Sequence, residues 1–134
     1  MKLEIKTKGH YDFIDITDKV RLLVEKSDIK DGAVLVFVPG STASVTTMEY
    51  EEGIKKDLIK VFENIAPENA DYEHHKKWGD RNGAAHIKSA LMRTSLTVPV
   101  ENGKLSLGTW QQIVLIDFDE KEREREITIK IVKE

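Results

Sequence analysis

The chain has 134 residues, with 21 Lys and Arg against 24 Asp and Glu, a formal net charge of -3 and no cysteine. A chain of this length is expected to form one domain over 1–134 with a core large enough to need no staples, and its mixed, slightly acidic surface gives no electrostatic case for nucleic acid or an anionic membrane. The lack of cysteine excludes disulfides, zinc–thiolate centres and thiol nucleophiles.

Leu3 and Ile5 alternate with Lys2, Glu4 and Lys6, which predicts a half-exposed edge strand. No apolar h-region follows Met1 and no apolar run is long enough to span a bilayer, so a cytoplasmic protein is expected. Beyond Tyr11 to Asp15, Thr17 reads as the N-cap of a helix to about Lys26, because Ile16, Val20, Leu23 and Val24 recur at helical spacing. Gly32 opens Ala33 to Val38, an apolar and largely β-branched run that suits a central strand ending at Pro39-Gly40.

Ser41 to Glu49 reads as a polar loop and short strand in which Ser41, Thr42, Ser44, Thr46 and Thr47 supply hydroxyls. Hydroxyls at this density serve turns and edge strands, or they line a phosphate or pyrimidine pocket. Glu49, Glu51 and Glu52 then precede a second helix with the stripe Ile54, Leu58, Val61, Phe62 and Ile65, and the acids suit its positive N-terminal end. Asp57 flanks that stripe, either covering the helix edge or aimed into a cleft. Pro67 ends the helix.

From Glu68 to Arg81 the pattern suggests an extended polar stretch with Tyr72, His74 and Trp78 on one side and His75 on the other. A third helix from Asn82 to about Met92 is predicted to bury Ala84, Ile87 and Leu91. His86 flanks that stripe beside Gly83 and Ala90, where it is either a hydrogen-bonded boundary residue or a ligand.

Leu96, Val98 and Val100 alternate up to Asn102-Gly103, a strong two-residue hairpin signal. Leu105 and Leu107 lead into the stretch that organises the chain, Leu107 to Asp119. Its two rows, Trp110, Val114, Ile116, Phe118 and Ile113, Leu115, are both apolar, as in a central strand. Gln111 and Gln112 at its start need partners there, or line a site. A charged turn then leads to Ile127, Ile129 and Ile131, read as the return of a second hairpin with one wet face. About six to eight strands with about three helices make a single α+β domain of mostly antiparallel, sandwich-like sheets.

Three segments together, PGSTASVTTMEYEEG, NGAAHIKSALMRTSLTVPVENGKLSLGTWQQIVLIDFD and EKEREREITIKI, resemble the YjbQ-like family, proteins described as secondary thiamine-phosphate synthases. The resemblance covers almost the whole chain, and a helix histidine, an Asn-Gly hairpin and GTWQ in this order make it specific. It implies a compact α+β domain assembling as a homotrimer with sites near subunit boundaries. Its recurrent polar positions fall on Glu49, Asp57, His74, Asn82, His86, Trp110 and Gln111. The chain departs from the family pattern at Gly40, where many relatives have a histidine after the proline. It departs also around Gly79 and Ala84, where relatives are histidine-richer, and at Arg93-Thr94, in place of a Gly-Pro-like turn.

The activity so implied joins a hydroxymethylpyrimidine pyrophosphate to a thiazole phosphate. It needs a cation or basic group for the leaving pyrophosphate, donors for the second phosphate and an apolar plate for a ring. The expected catalytic residues are Glu49, Asp57, His86 and Gln111. Ser41, Thr42, Asn82 and Trp110 are expected to bind substrate. His74 and His86 are expected to hold a divalent ion, Mg or Zn; no nucleotide cofactor is evident. The competing reading is a trimeric metal- or small-ligand-binding protein without turnover.

Overall fold

The strand β7, Gln112–Asp117, lies at the centre of a three-layered arrangement in a computed structural model that describes residues 1–134. It is the middle strand of a three-stranded antiparallel sheet, flanked by β2 (Asp12–Asp15) and β4 (Ala43–Met48). A five-stranded antiparallel sheet faces it, in the order β1 (Lys2–Thr7), β8 (Arg123–Lys133), β3 (Gly32–Phe37), β5 (Ser95–Glu101) and β6 (Lys104–Leu105). Ile113 and Leu115 point into the space between the sheets, where Val34, Val36, Val98, Ile127 and Ile129 meet them, with Val20 and Val24 of helix α1 (Thr17–Ser27). Val114, Ile116 and Phe118 face the other way. They pack with Phe13, Met48, Phe62 of α2 (Glu52–Ile65) and Ala85 of α4 (Gly83–Met92). The apolar residues on both rows of β7 are thus explained by a layer on each side. Each large side chain so buried contributes about 1.5–3 kcal/mol over its exposed state.

β1 is an edge strand and β3 lies inside its sheet, as their patterns require. Asn102 and Gly103 both have positive φ, 51° and 76°, the geometry of a two-residue hairpin turn between β5 and β6.

Four features differ from the sequence reading. Thr17 is the first helical residue rather than the cap: Asp15 Oδ1 accepts from its backbone N–H at 3.0 Å and from its hydroxyl at 2.5 Å, while Thr17 Oγ1 accepts from Ile113 N at 2.8 Å. Leu107 to Gln111 is a loop and turn outside the strand, so Trp110 is 73% exposed. β7 and β8 are not a hairpin, because the turn between them carries the chain from one sheet to the other. The stretch expected to be extended contains a fourth, short helix, α3 (Glu73–Lys77).

The buried face of α4 also differs. Ala84, Ala85, Lys88 and Ser89 face inward, while Ile87 and Leu91 are 38% and 61% exposed. Small side chains let the helix approach β4 closely, and Ser89 Oγ donates to Ala43 O at 2.6 Å. The Lys88 ammonium, fully buried, is held by Tyr11 Oη and by Glu63 Oε2 at 3.1 Å. A buried charge with partners outcompetes exposed leucine for the inner face, which hydrophobic periodicity alone does not register.

Candidate functional site

Two carboxylates at the end of β7, Asp117 and Asp119, are 0% exposed. Arg125 grips Asp117 side-on, with Nε donating to Oδ2 at 2.7 Å and Nη2 to Oδ1 at 3.0 Å, and Thr7 Oγ1 donates to Oδ2 at 2.6 Å. Asp119 accepts from Thr42 Oγ1 at 2.9 Å, Arg123 Nε at 2.9 Å, Glu120 N at 2.7 Å and Asn82 Nδ2 at 3.3 Å. Burial works against the charge on Asp119, but the hydrogen bonds from Thr42, the Glu120 backbone, Arg123 and Asn82 outweigh it and hold the carboxyl below its ordinary value. Because β7 is apolar on both faces, the inside–outside pattern cannot set its register. These directional bonds at its end do so.

The network reaches the histidines through Asn82. A carboxylate only accepts, so the Asn82 amide must turn its NH2 to Asp119 and its Oδ1 to His74 Nε2, 3.2 Å away. His74 therefore carries its proton on Nε2. The ring of His86 on α4 lies 4.5 Å from that of His74, centroid to centroid. Burial lowers the His86 pKa and the neighbouring His74 lowers it further, against the opposing pull of Asp119 and Asp80. At neutral pH His86 is an uncharged imidazole. It lines a cavity of about 350 Å³ with Gly40, Ser41, Ser89, Ala90, Arg93, Thr94 and Ser95.

His75 is bound up in structure. Its Nε2 accepts from Gly83 N at 3.0 Å, and a Cβ on Gly83 would come within 2.8 Å of Tyr72, so glycine lets α4 start against this ring.

The structure therefore brings together His74, His86, Asn82, Ser41 and Thr42 from the expected set. Thr42 is a network member and not an open hydroxyl: it is 6% exposed, and its Oγ1 also accepts from Arg125 Nη2 at 2.7 Å. Glu49, Trp110 and Gln111 lie at the other end of β4 and β7, where Met48 pairs with Gln112; Ala43 pairs with Asp117 at the His86 end. Seven residues of strand separate Thr42 from Glu49, roughly 23 Å at about 3.3 Å per residue. Gln111 Nε2 donates to Thr47 Oγ1 at 3.0 Å and Gln112 Oε1 accepts from Tyr50 N at 3.3 Å, so both amides have partners. Asp57 is exposed on α2.

No three His, Cys, Asp or Glu side chains are grouped to hold a metal ion. The two imidazoles are adjacent, but the hydrogen bond to Asn82 takes Nε2 of His74 away from a ligand role. The residues of one chain do not by themselves form a metal cage. Sequence reasoning did not single out Asp117, Asp119, Arg123, Arg125 or the structural use of His75. The signal for four of them was present: two acids at alternate positions in an apolar strand, followed by arginines at alternate positions, predict buried pairing.

The family model described as "UPF0047 protein YjbQ-like" matches residues 1–134. A UPF0047 protein of Archaeoglobus fulgidus is 40% identical over 130 residues, covering 97% of this chain and 98% of that protein. The UPF0047 protein YugU of Bacillus subtilis is 38% identical over 118 residues, 87% of each. A crystal structure of a YbjQ-like protein of unknown function from Sulfolobus solfataricus superposes with a TM-score of 0.90 at 34% identity, covering 100% of this chain and 97% of that one. No helix is long and apolar enough to cross a membrane.

Proposed function

Because the chain belongs to the YjbQ-like UPF0047 family, we propose that it joins a hydroxymethylpyrimidine pyrophosphate to a thiazole phosphate with release of pyrophosphate, as the family resemblance implies. The thiazole nitrogen forms a bond to the pyrimidine methylene carbon, whose bond to oxygen breaks, and pyrophosphate leaves with that electron pair. The observation that supports this reading is His86 at the edge of a hydroxyl-lined cavity, its neighbour His74 fixed through Asn82 to the buried Asp119. A neutral imidazole offers one N–H to a departing phosphate oxygen, and an arriving anion favours its protonation, so His86 serves as the hydrogen-bond donor and acid. Ser41 adds a donor.

Gln111 lines the cavity that adjoins the His86 cavity through Arg93 and Ser95, whereas Glu49 and Trp110 lie too far along the strands to act on a group beside His86 of the same chain. The place of Glu49 and Trp110 in this reading is at a boundary between copies, with Trp110 as the ring-stacking plate. The exposed Ile87 and Leu91 beside His86, and Trp110 itself, are apolar surface that a homotrimer would cover. Light scattering should then give three times the 15.3 kDa chain mass; a stable monomer at micromolar concentration rules out shared sites.

The assay is formation of thiamine phosphate from the two substrates with Mg²⁺ present. His86→Ala should lower kcat by about 10² to 10⁴, and Trp110→Ala should raise KM more than it lowers kcat. The distance of Glu49 and Asp57 from His86 favours the second reading, a small-ligand- or metal-binding protein without turnover. A folded trimer that forms no product, or a rate indifferent to His86→Ala, decides for it.

A further inference from the structure

The chain has five arginines, Arg21, Arg81, Arg93, Arg123 and Arg125. Four of them hold a carboxylate: Asp18, Asp71, Asp119 and Asp117 respectively. Arg93 has no such partner, and its only assigned bond is from its backbone N–H to Ser89 O at 2.8 Å. Its backbone, at φ 75° and ψ 165°, lies in a region that L-residues rarely adopt and glycine favours. A side chain that strains its own backbone and pairs with nothing in the chain contributes no evident stability.

Its position is informative. Arg93 and Ser95 line both the His86 cavity and a neighbouring cavity of about 300 Å³ bounded by Thr47, Leu96, Val98, Leu107 and Gln111 among others. Neither cavity has an Asp or Glu in its lining, in a chain with 24 acids. A second guanidinium, that of Arg125, lies beside Gly40 in the wall of the His86 cavity. Arg125 is 9% exposed, and its Nε and Nη2 make all of its hydrogen bonds. Its Nη1 makes none, and it points at Gly40, 3.1 Å from where a Cβ would stand. Gly40, at φ 124°, forms the edge of the His86 cavity with Ser41. An acid-free hollow with serine hydroxyls, one unpaired arginine and one buried arginine with free N–H groups is chemistry for an oxyanion.

The geometry points to an anion clamp in which Arg93, over the junction of the two cavities, grips the phosphate of a phosphorylated small molecule. The apolar body of that molecule lies along Leu96, Val98 and Leu107. Arg93 is then a specificity-determining residue for the reaction proposed above, on which the identity of the ligand rests. The clamp itself rests on the cavity and its charges.

The test uses the full chain, with inorganic phosphate and pyrophosphate as calorimetric probes and acetate as the carboxylate control. Pyrophosphate should bind, acetate much less. Arg93→Ala should weaken pyrophosphate binding roughly ten-fold or more, as for a lost charged hydrogen-bond partner, with little change in melting temperature because alanine keeps a Cβ at the same φ. Arg93→Gly should weaken binding equally and raise the melting temperature by a few degrees, on the order expected for relieved backbone strain. No binding of either phosphate by the unsubstituted chain, equal binding by Arg93→Ala, or a lower melting temperature for Arg93→Gly would each overturn the clamp. Thiamine phosphate formed with an unchanged KM in Arg93→Ala overturns the clamp and leaves the reaction. Pyrophosphate held through Arg93 with no thiamine phosphate formed supports the clamp and removes the reaction.

Discussion

The two ends of the inner sheet are built on opposite plans. At the Asp119 end, two buried carboxylates, two arginines, two threonines and an asparagine are bonded to one another, and the chain of bonds runs out to His74. At the Trp110 end, Glu49, Gln111 and Trp110 are exposed, and the polar contacts are single bonds at the surface. A side chain wired into a buried network is held in one orientation at no further cost when a substrate arrives, whereas an exposed one must be ordered by whatever binds it. Under the proposed reading, the first end supplies the fixed groups and the second the adaptable contacts.

Removing the anchor should have the largest effect. Asp119→Ala leaves the buried Thr42 and Asn82 facing a void and Arg123, 37% exposed, to be rehydrated; each buried polar group left without its partner costs about 1–3 kcal/mol. Urea unfolding would read this as a large fall in midpoint. A fall no larger than that of a surface substitution would mean that the network holds little. Acid titration sharpens the same point. The folded pKa of Asp119 lies below its unfolded value near 3.9, so its contribution is present above about pH 4 and is lost as pH falls through the folded value. Asp119→Asn should lose that part of the acid dependence.

His86 has the same direction of pH dependence in a different window. Its folded pKa lies below the unfolded value near 6.5, so the unfolded chain binds the proton more readily and stability declines as pH drops below about 6.5. In His86→Gln the urea midpoint should lose that part of its decline, while the Asp119 part remains. His75→Ala should cost about 1 kcal/mol by removing the acceptor for Gly83 N at the start of α4. It should leave the His74–His86 contact in place, which the ring proton resonances of those two residues would report. Trp110→Ala stands at the bottom of the scale, within about 0.5 kcal/mol for an exposed side chain; a larger loss in the isolated chain would contradict the exposed placement.

Much of the layout was legible because it follows from period. The double apolar row of β7, the alternating β1, the apolar run of β3, the Asn102-Gly103 turn and the stripe of α2 all respond to one physical variable, burial of apolar surface. The misreadings occur where another variable decides. α4 turns Lys88 and Ser89 inward because their hydrogen bonds to Glu63 and Ala43 favour a close small-residue face. β7 and β8 part company although a short charged turn joins them, because each strand finds its partners in a different sheet.

The site was legible only in part, and by resemblance more than by period. His74, Asn82 and His86 were identified by resemblance, and they do converge. Asp119 is also within the organising stretch, but an acid at a strand end looks like a solvated terminus until Thr42 and Arg123, distant in sequence, are seen to surround it.

The most direct test maps where a ligand lands. Amide shifts of isotopically labelled chain would be followed while hydroxymethylpyrimidine pyrophosphate is added. Binding at the anchored end should move Ser41, His86, Ala90 and Ser95 first and most. Shifts confined to Glu49, Gln111 and Trp110, with the His86 cavity silent, would contradict the assignment of the site to the Asp119 end.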